Sequence, residues 1–187
     1  MKKTISTIAL IFIVWTSANA QKNSLLLYGN LNYEYHQKTP TTGLTSESSL
    51  LGFSPGIGYQ FTDHLTVGVN MSTEAEKYDS DDDKSTAFSV GPFVRYAYTL
   101  SDIFAVYGQL NVNSVSEKYS GIKSNGVSAV LFPAIGVNLK NGFALNFNFG
   151  SLAYKQTQVK GDGEMNQSFG LSFGSGFGFG ISKNFSF

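Results

Sequence analysis

The chain has 187 residues, enough for one domain and tight for two. Thirteen basic and thirteen acidic residues cancel, so there is no basic excess of the kind that nucleic-acid binding calls for. Cysteine is absent, which excludes both a disulfide-stapled secreted fold and a lipid-anchored lipoprotein.

The N-terminus reads as a targeting segment. Lys2 and Lys3 precede a short apolar run, Ile8 to Trp15, and Ala18-Asn19-Ala20 puts small residues at both positions flanking a cut. That is the layout of a secretory signal peptide, with cleavage expected after Ala20. The run is too short for a permanent membrane helix, which needs roughly 20 residues. Residues 1–20 are therefore set apart from one domain spanning 21–187, whose eleven basic and thirteen acidic residues leave a slight negative charge.

Beyond Ala20 apolar residues alternate with small polar ones, and helical periodicity is missing. Eight alternating runs predict eight strands. The first carries Leu25, Leu27, Leu31, Tyr33 and Tyr35 on one face and Tyr28, Asn30, Asn32 and Glu34 on the other. The second holds Phe53, Ile57, Tyr59 and Phe61, and the third Leu65, Val67, Val69 and Met71. The fourth has Phe88, Val90, Val94, Tyr96 and Tyr98 against a face that includes Phe93 and Arg95. In the fifth, Phe104, Val106, Leu110 and Val112 oppose Tyr107, Gln109, Asn111 and Asn113. The sixth runs from Val127 to Leu139, and the seventh carries Phe143, Leu145, Phe147 and Phe149. The last extends from Phe169 to Phe187 against a row of glycine and serine.

The connections alternate in length. Thr62-Asp63-His64, Ser101-Asp102 and Asn141-Gly142 are short turns, the last a strong hairpin signal. Between them lie longer polar stretches near 36–47, 75–86, 116–126 and 155–166. Short turns at one rim and long loops at the other are the pattern of a transmembrane barrel. Asp63, Asp102 and Asn141 are spaced 39 apart, so the hairpins form an internal repeat. Pro55, Pro92 and Pro133 recur before the turns. Proline removes a ladder donor, so bulges or irregular pairing are expected there.

Alternation alone does not say which face is wet, since a lipocalin-like soluble barrel alternates equally well. The polar faces here are built of Gly, Ser, Asn and Thr with almost no charge, whereas a water-facing surface carries roughly a quarter to a third charged residues. The apolar faces carry tyrosine and phenylalanine near the strand ends, as interfacial girdles do. A charge facing lipid costs about 2–4 kcal/mol at the midplane, and these faces have none there. Lys183 sits near a strand end, where a lysine can snorkel to the interface. The apolar side is therefore expected to face lipid, in an eight-stranded antiparallel up-and-down transmembrane β-barrel of the outer membrane.

Eight strands leave an interior just wide enough for side chains to fill. The last strand offers space through Gly170, Ser172, Gly174, Gly176, Gly178 and Gly180, into which Tyr28, Asn30, Asn32 and Glu34 of the first strand are expected to project. Arg95 stands where the sister repeats have Gly58 and Gly136. A buried guanidinium needs acceptors, and Glu34, Gln60, Asn30 and Gln109 are the candidates for an interior polar network. A gate on a narrow ion path is the sharper alternative for the same group.

The whole of 21–187 resembles the small outer-membrane β-barrel family that includes OmpX and the transmembrane domain of OmpA, and more closely the barrel-domain proteins of the Bacteroides–Flavobacterium group. The resemblance is carried by Pro55, Tyr59 and Asp63, by their echo at Pro92, Tyr96 and Asp102, by Gly150-Ser151-Leu152-Ala153-Tyr154, and by the aromatic end Phe185-Ser186-Phe187. It implies insertion by the barrel assembly machinery, with Phe185 and Phe187 as the assembly signal. It also implies outer-membrane lipids and lipopolysaccharide as surroundings, and no shared catalytic chemistry.

Some barrels of this build modify lipid A, so a nucleophilic constellation has to be weighed. A Ser–His–acid device needs a histidine within hydrogen-bond reach of a hydroxyl. His64 falls in a tight turn and reads as a solvated turn residue. His36 lies near Thr39, Thr41 and Glu47 but is followed by Gln37 and Lys38, so the His-x-Ser spacing of the lipid A deacylases is missing. The acidic stretch Glu74, Glu76, Asp79, Asp81, Asp82 and Asp83 fails the calcium-loop rule, with Lys84 at its sixth position and Val90 at its twelfth. No catalytic residue, cofactor or metal site is assigned. The expected role is structural or surface-interacting, with a lipid A-modifying enzyme and a narrow ion pore as the alternatives.

Overall fold

The computed structural model describes residues 23–38, 46–78, 84–161 and 163–186. The expected signal segment, the aspartates Asp79, Asp81, Asp82 and Asp83, and Phe187 lie outside the described residues. Eight antiparallel strands form a closed barrel in sequence order. They are β1 (Ser24–Lys38), β2 (Ser46–Gln60), β3 (Leu65–Tyr78), β4 (Lys84–Thr99), β5 (Phe104–Tyr119), β6 (Ile122–Asn138), β7 (Phe143–Val159) and β8 (Met165–Ser186).

The strands follow from the period-two pattern, and the turns from local chemistry. At the rim shared by both ends of the chain, the Thr62 hydroxyl accepts from the N–H groups of His64 and Leu65 at 3.2 and 3.0 Å. In the next repeat Ser101 does the same for Ile103 and Phe104 at 3.3 and 3.1 Å. The third repeat has Lys140 at that place and turns instead through Asn141 (φ 60°) and Gly142 (φ 75°). Positive φ at both central residues is what a primed hairpin turn requires.

At the opposite rim the described parts of the polar stretches expected as loops are mostly strand. β5 and β6 continue to Tyr119 and Ile122 and join through Ser120 and Gly121 alone. Strands of 14 to 22 residues exceed the 9–11 or so that cross a bilayer, so the strand ends at this rim extend beyond the hydrocarbon. These segments are polar on both faces, which hid them from a pattern based on alternation.

Each internal proline keeps its pairing with the preceding strand and interrupts the next. Pro55 pairs with Gly29, Pro92 with Val69 and Pro133 with Gly108. On the other side the ladders skip these positions, without a register change at Pro55 and Pro92 and with a shift between Leu131 and Ala134 at Pro133. The missing N–H thus breaks one ladder per proline while the wall stays closed.

β1 and β8 close the barrel over only part of their length, from Ser24↔Ser186 to Asn30↔Gly180. The ladder stops where β8 bulges. Between the pairs Asn148↔Gly178 and Gly150↔Phe173, residues 174 to 177 of β8 stand against Phe149 alone. Above this point the seam flanks are the barest parts of the wall: Leu31 and Tyr33 are 67% and 65% exposed, and Phe169, Leu171 and Phe173 are 72%, 77% and 75%.

Candidate functional site

The outward band is apolar on every strand, with Ile57, Val69, Val94, Leu110, Ile135 and Phe179 among its exposed members. Lys183 lies at the rim, where its ammonium donates to the Asn141 carbonyl at 2.6 Å and covers the rings of Phe143 and Phe185 at 4.1 and 5.4 Å. The inward side holds Ser24, Gln60, Thr66, Asn70, Ser89, Arg95, Gln109, Asn113 and Asn146, all buried.

A plug fills the lumen at the level of Arg95. Arg95 is 6% exposed and lies opposite Gln109 in the β4–β5 ladder. Its Nε donates to the Gln109 amide oxygen at 2.7 Å. The Gln109 amide nitrogen donates in turn to the Tyr28 hydroxyl at 2.9 Å and to Asn111 Oδ1 at 2.8 Å. The guanidinium carbon sits 4.2 Å from the Tyr107 ring centroid and 4.9 Å from that of Tyr28. Two aromatic faces and an amide oxygen thus stabilise a desolvated cation. Below it the Phe93 ring meets Tyr28 edge-on at 5.4 Å and covers Gly58 and Gly68, where any Cβ would collide with it. The remaining space, lined by Tyr28, Asn30, Arg95, Tyr107, Phe132, Asn146 and Asn148, is about 10 Å³, roughly what one water needs.

Of the residues expected around Arg95, the structure brings in Gln109. Asn30 lines the same small cavity, and its side-chain oxygen occupies the space over Gly180. Gln60 is held elsewhere. It accepts from the Ser24 hydroxyl and donates to the Asp63 carbonyl, both at 3.3 Å, and Thr66 separates it from Arg95 in the sheet. Glu34 pairs through its backbone with Leu50, six residues along β1 from Tyr28, about 20 Å at 3.4 Å per residue; its side chain lies outside the described residues. The first strand fills the β8 glycine wall only at Asn30, because Tyr28 lies instead over Gly56 of β2. Nothing lies within 4 Å of a Cβ placed on Gly170 or Gly174, and Gly178 is covered by Asn148.

Tyr28, Phe93 and Tyr107 complete the plug, beyond the site residues that the sequence suggested. A signal existed, since each is a large aromatic on a face otherwise made of small polar groups.

His64 is half-buried rather than solvated. Its Nδ1 lies 2.8 Å from the Ala97 carbonyl oxygen, and its ring stacks on Tyr96 and Tyr98. The side chain of His36 lies outside the described residues. Among the described residues no group of three His, Asp or Glu side chains is placed to hold a metal ion. Towards the outer end the inward-facing Lys155 and Glu117 form an ion pair.

A closed wall with lipid-compatible side chains outside and hydrogen-bonded polar ones inside defines the class: an eight-stranded transmembrane β-barrel. The chain is similar in fold to neisserial surface protein A (NspA), with a TM-score of 0.54 at 10% identity over 87% of this chain and 97% of that one. Weaker likenesses are to a de novo designed transmembrane β-barrel (TM-score 0.40, 12% identity, 90% of this chain and 100% of that one) and to the translocator domain of the autotransporter NalP from Neisseria meningitidis (0.42, 13%, 89% and 63%). No family model matches the chain, and no curated protein does.

Proposed function

We propose that the chain is an integral outer-membrane protein with a structural or surface-interacting role, and not a pore or a lipid A-modifying enzyme. In this reading the signal peptide 1–20 is removed, and the barrel assembly machinery inserts residues 21–187 by reading the Phe185–Phe187 end. The small OmpX- and OmpA-like barrels are the natural grouping. One observation carries the reading: the β1–β8 ladder stops at Asn30↔Gly180, while both strands run on towards the outer rim. Sheet edges displayed above a membrane are sites at which a partner strand adds by main-chain hydrogen bonding. The Arg95 plug supports the same reading, because Arg95, Tyr28 and Tyr107 leave a space of only about 10 Å³ between them in the lumen.

The test is to express the full chain in a Gram-negative host and compare three readouts with a strain lacking it. The expected result is an unchanged lipid A mass spectrum, no discrete conductance steps in planar bilayers, and altered envelope permeability or cell–cell adhesion. A new lipid A species would establish the enzyme instead, and reproducible single-channel steps the pore.

A further inference from the structure

The outer wall carries a row of lysines that no described carboxylate neutralises. Lys118 of β5 stands directly opposite Lys123 of β6. The Lys160 N–H donates to the Lys123 carbonyl at 2.8 Å, which puts Lys160 opposite Lys123 on the other side. All three are exposed. Alternation turns them outward, because Glu117 and Ser124 beside the first two, and Thr157 three residues before Lys160, belong to the inward set.

Like charges directly opposite in a sheet are destabilising. Here three occupy one line about 10 Å long, given a strand spacing near 4.8 Å. No carboxylate among the described residues pairs with any of them, since the Glu117 carboxylate points inward onto Lys155. Edge protection, a common reason for lysines on strands, does not apply, because β5, β6 and β7 are laddered on both sides at this height. Lys77 and Lys84 also oppose each other, but the segment joining them contains four aspartates. The turn between Lys118 and Lys123 has only Ser120 and Gly121, at φ 44° and 87°. That short turn holds the two backbone positions opposite each other.

Beside the row lies an open groove of about 240 Å³, lined by Thr73, Thr86, Phe88, Ser116, Lys118 and Lys123 together with Ala87 and Glu117, whose side chains are in the inward phase of β4 and β5. It is amphipathic from bottom to top. Phe88, flanked in register by the hydroxyls of Thr73 and Ser116, forms its lower row and continues the apolar band of Val90 and Val94, and Thr86, Lys118 and Lys123 share the row above. We infer that this groove and the Lys118–Lys123–Lys160 row bind the phosphate-bearing headgroup of a lipid in the leaflet around the outer half of the barrel. The apolar floor continues towards acyl chains, the hydroxyls donate to sugar or phosphate oxygens, and the phosphates supply the counter-charge that the lysine row lacks. The inference rests on the orientation proposed above, with the short turns at the inner rim.

The test uses the full mature chain refolded in nanodiscs of phosphatidylcholine doped with either bisphosphorylated lipid A or its dephosphorylated form. Bound lipid is counted by native mass spectrometry after detergent release. The expected result is a preference for the phosphorylated form that weakens with salt. Each lysine near an anionic surface contributes a factor of about five, so a Lys118→Gln/Lys123→Gln/Lys160→Gln variant should lose the preference by roughly 100-fold. The matching triple arginine variant should keep it, which separates charge from folding. Equal retention of both lipids by the native chain, or an unchanged preference in the glutamine variant, would overturn the inference. So would binding of a soluble anionic polymer without lipid preference. Fractionation of the same variants reports membrane location separately, so failure of the site and failure of the outer-membrane reading are distinguishable.

Discussion

Arg95 and Gln109 face each other across the β4–β5 ladder, and the guanidinium Nε donates to the Gln109 amide oxygen at 2.7 Å. Gln109 relays that contact to the Tyr28 hydroxyl on β1, so one amide ties opposite walls of the barrel together. Replacing Gln109 by Leu removes the acceptor and leaves a buried cation short of a partner. The expected cost is about 1.5–3 kcal/mol, the usual range for a hydrogen bond to a charged group. Urea unfolding in lipid vesicles measures it. An Arg95→Met/Gln109→Leu cycle should show coupling well above about 0.5 kcal/mol, and independent effects would contradict the plug.

The wall has room for a methyl group at some glycines and none at others. A Cβ on Gly68 would strike the Ile57 backbone carbonyl, the Gly58 Cα and the Phe93 ring, whereas one on Gly108 meets nothing within 4 Å. Gly68→Ala should destabilise by about 1–3 kcal/mol, as overpacking does. Gly108→Ala should be close to neutral. The same unfolding measurement checks both, and equal effects would mean that the ring does not lie where it is placed.

The seam between β1 and β8 makes a geometric prediction, and the cysteine-free chain suits it. Gly29→Cys with Ile181→Cys joins a laddered pair and should crosslink readily with a short bis-thiol reagent. Tyr33→Cys with Phe177→Cys would be opposed only if the same register continued past Asn30. That pair should stay uncrosslinked. Comparable yields would show a ladder running the full length of β1.

The third inner turn depends on its positive φ values. Gly142 has φ 75°, and a Cβ there would press on the Asn184 carbonyl. Gly142→Val should slow refolding and destabilise the β7–β8 side, whereas Asn141→Gly should be tolerated, since glycine adopts φ 60° freely. Folding kinetics followed by gel mobility would separate the two.

The eight strands were legible because lipid contact demands an apolar side chain at every second position, and Val67-Val69-Met71 or Leu110-Val112 satisfy that with little ambiguity. The inward turn of Arg95 was legible for the same reason. The strand extensions were not, since Lys84–Thr86 and Ile122–Gly126 have no apolar face to mark them. The β8 bulge was hidden by its own regularity. Phe173 and Phe179 keep the same phase on either side of the extra residues, so alternation runs through unbroken. β7 shows the opposite behaviour. The odd-numbered phase of Leu145 and Phe147 gives way to an even-numbered one at Leu152 and Tyr154, and that change betrays the register shift beside Phe149. Gln60 lies in one register row with Arg95, Gln60↔Thr66↔Arg95, and periodicity along a strand does not reveal that another strand intervenes.

The most direct test of the orientation places nitroxide labels at Val69, Val94 and Leu110 on the outer face and at Asn70, Ala97 and Asn113 on the inner one, in vesicles. Labels on the first three should collide freely with oxygen dissolved in the bilayer and be shielded from a water-soluble nickel chelate. Those on the second three should show little oxygen access. The reverse pattern, with the apolar face shielded from lipid, would contradict a barrel that turns its oily side to the membrane.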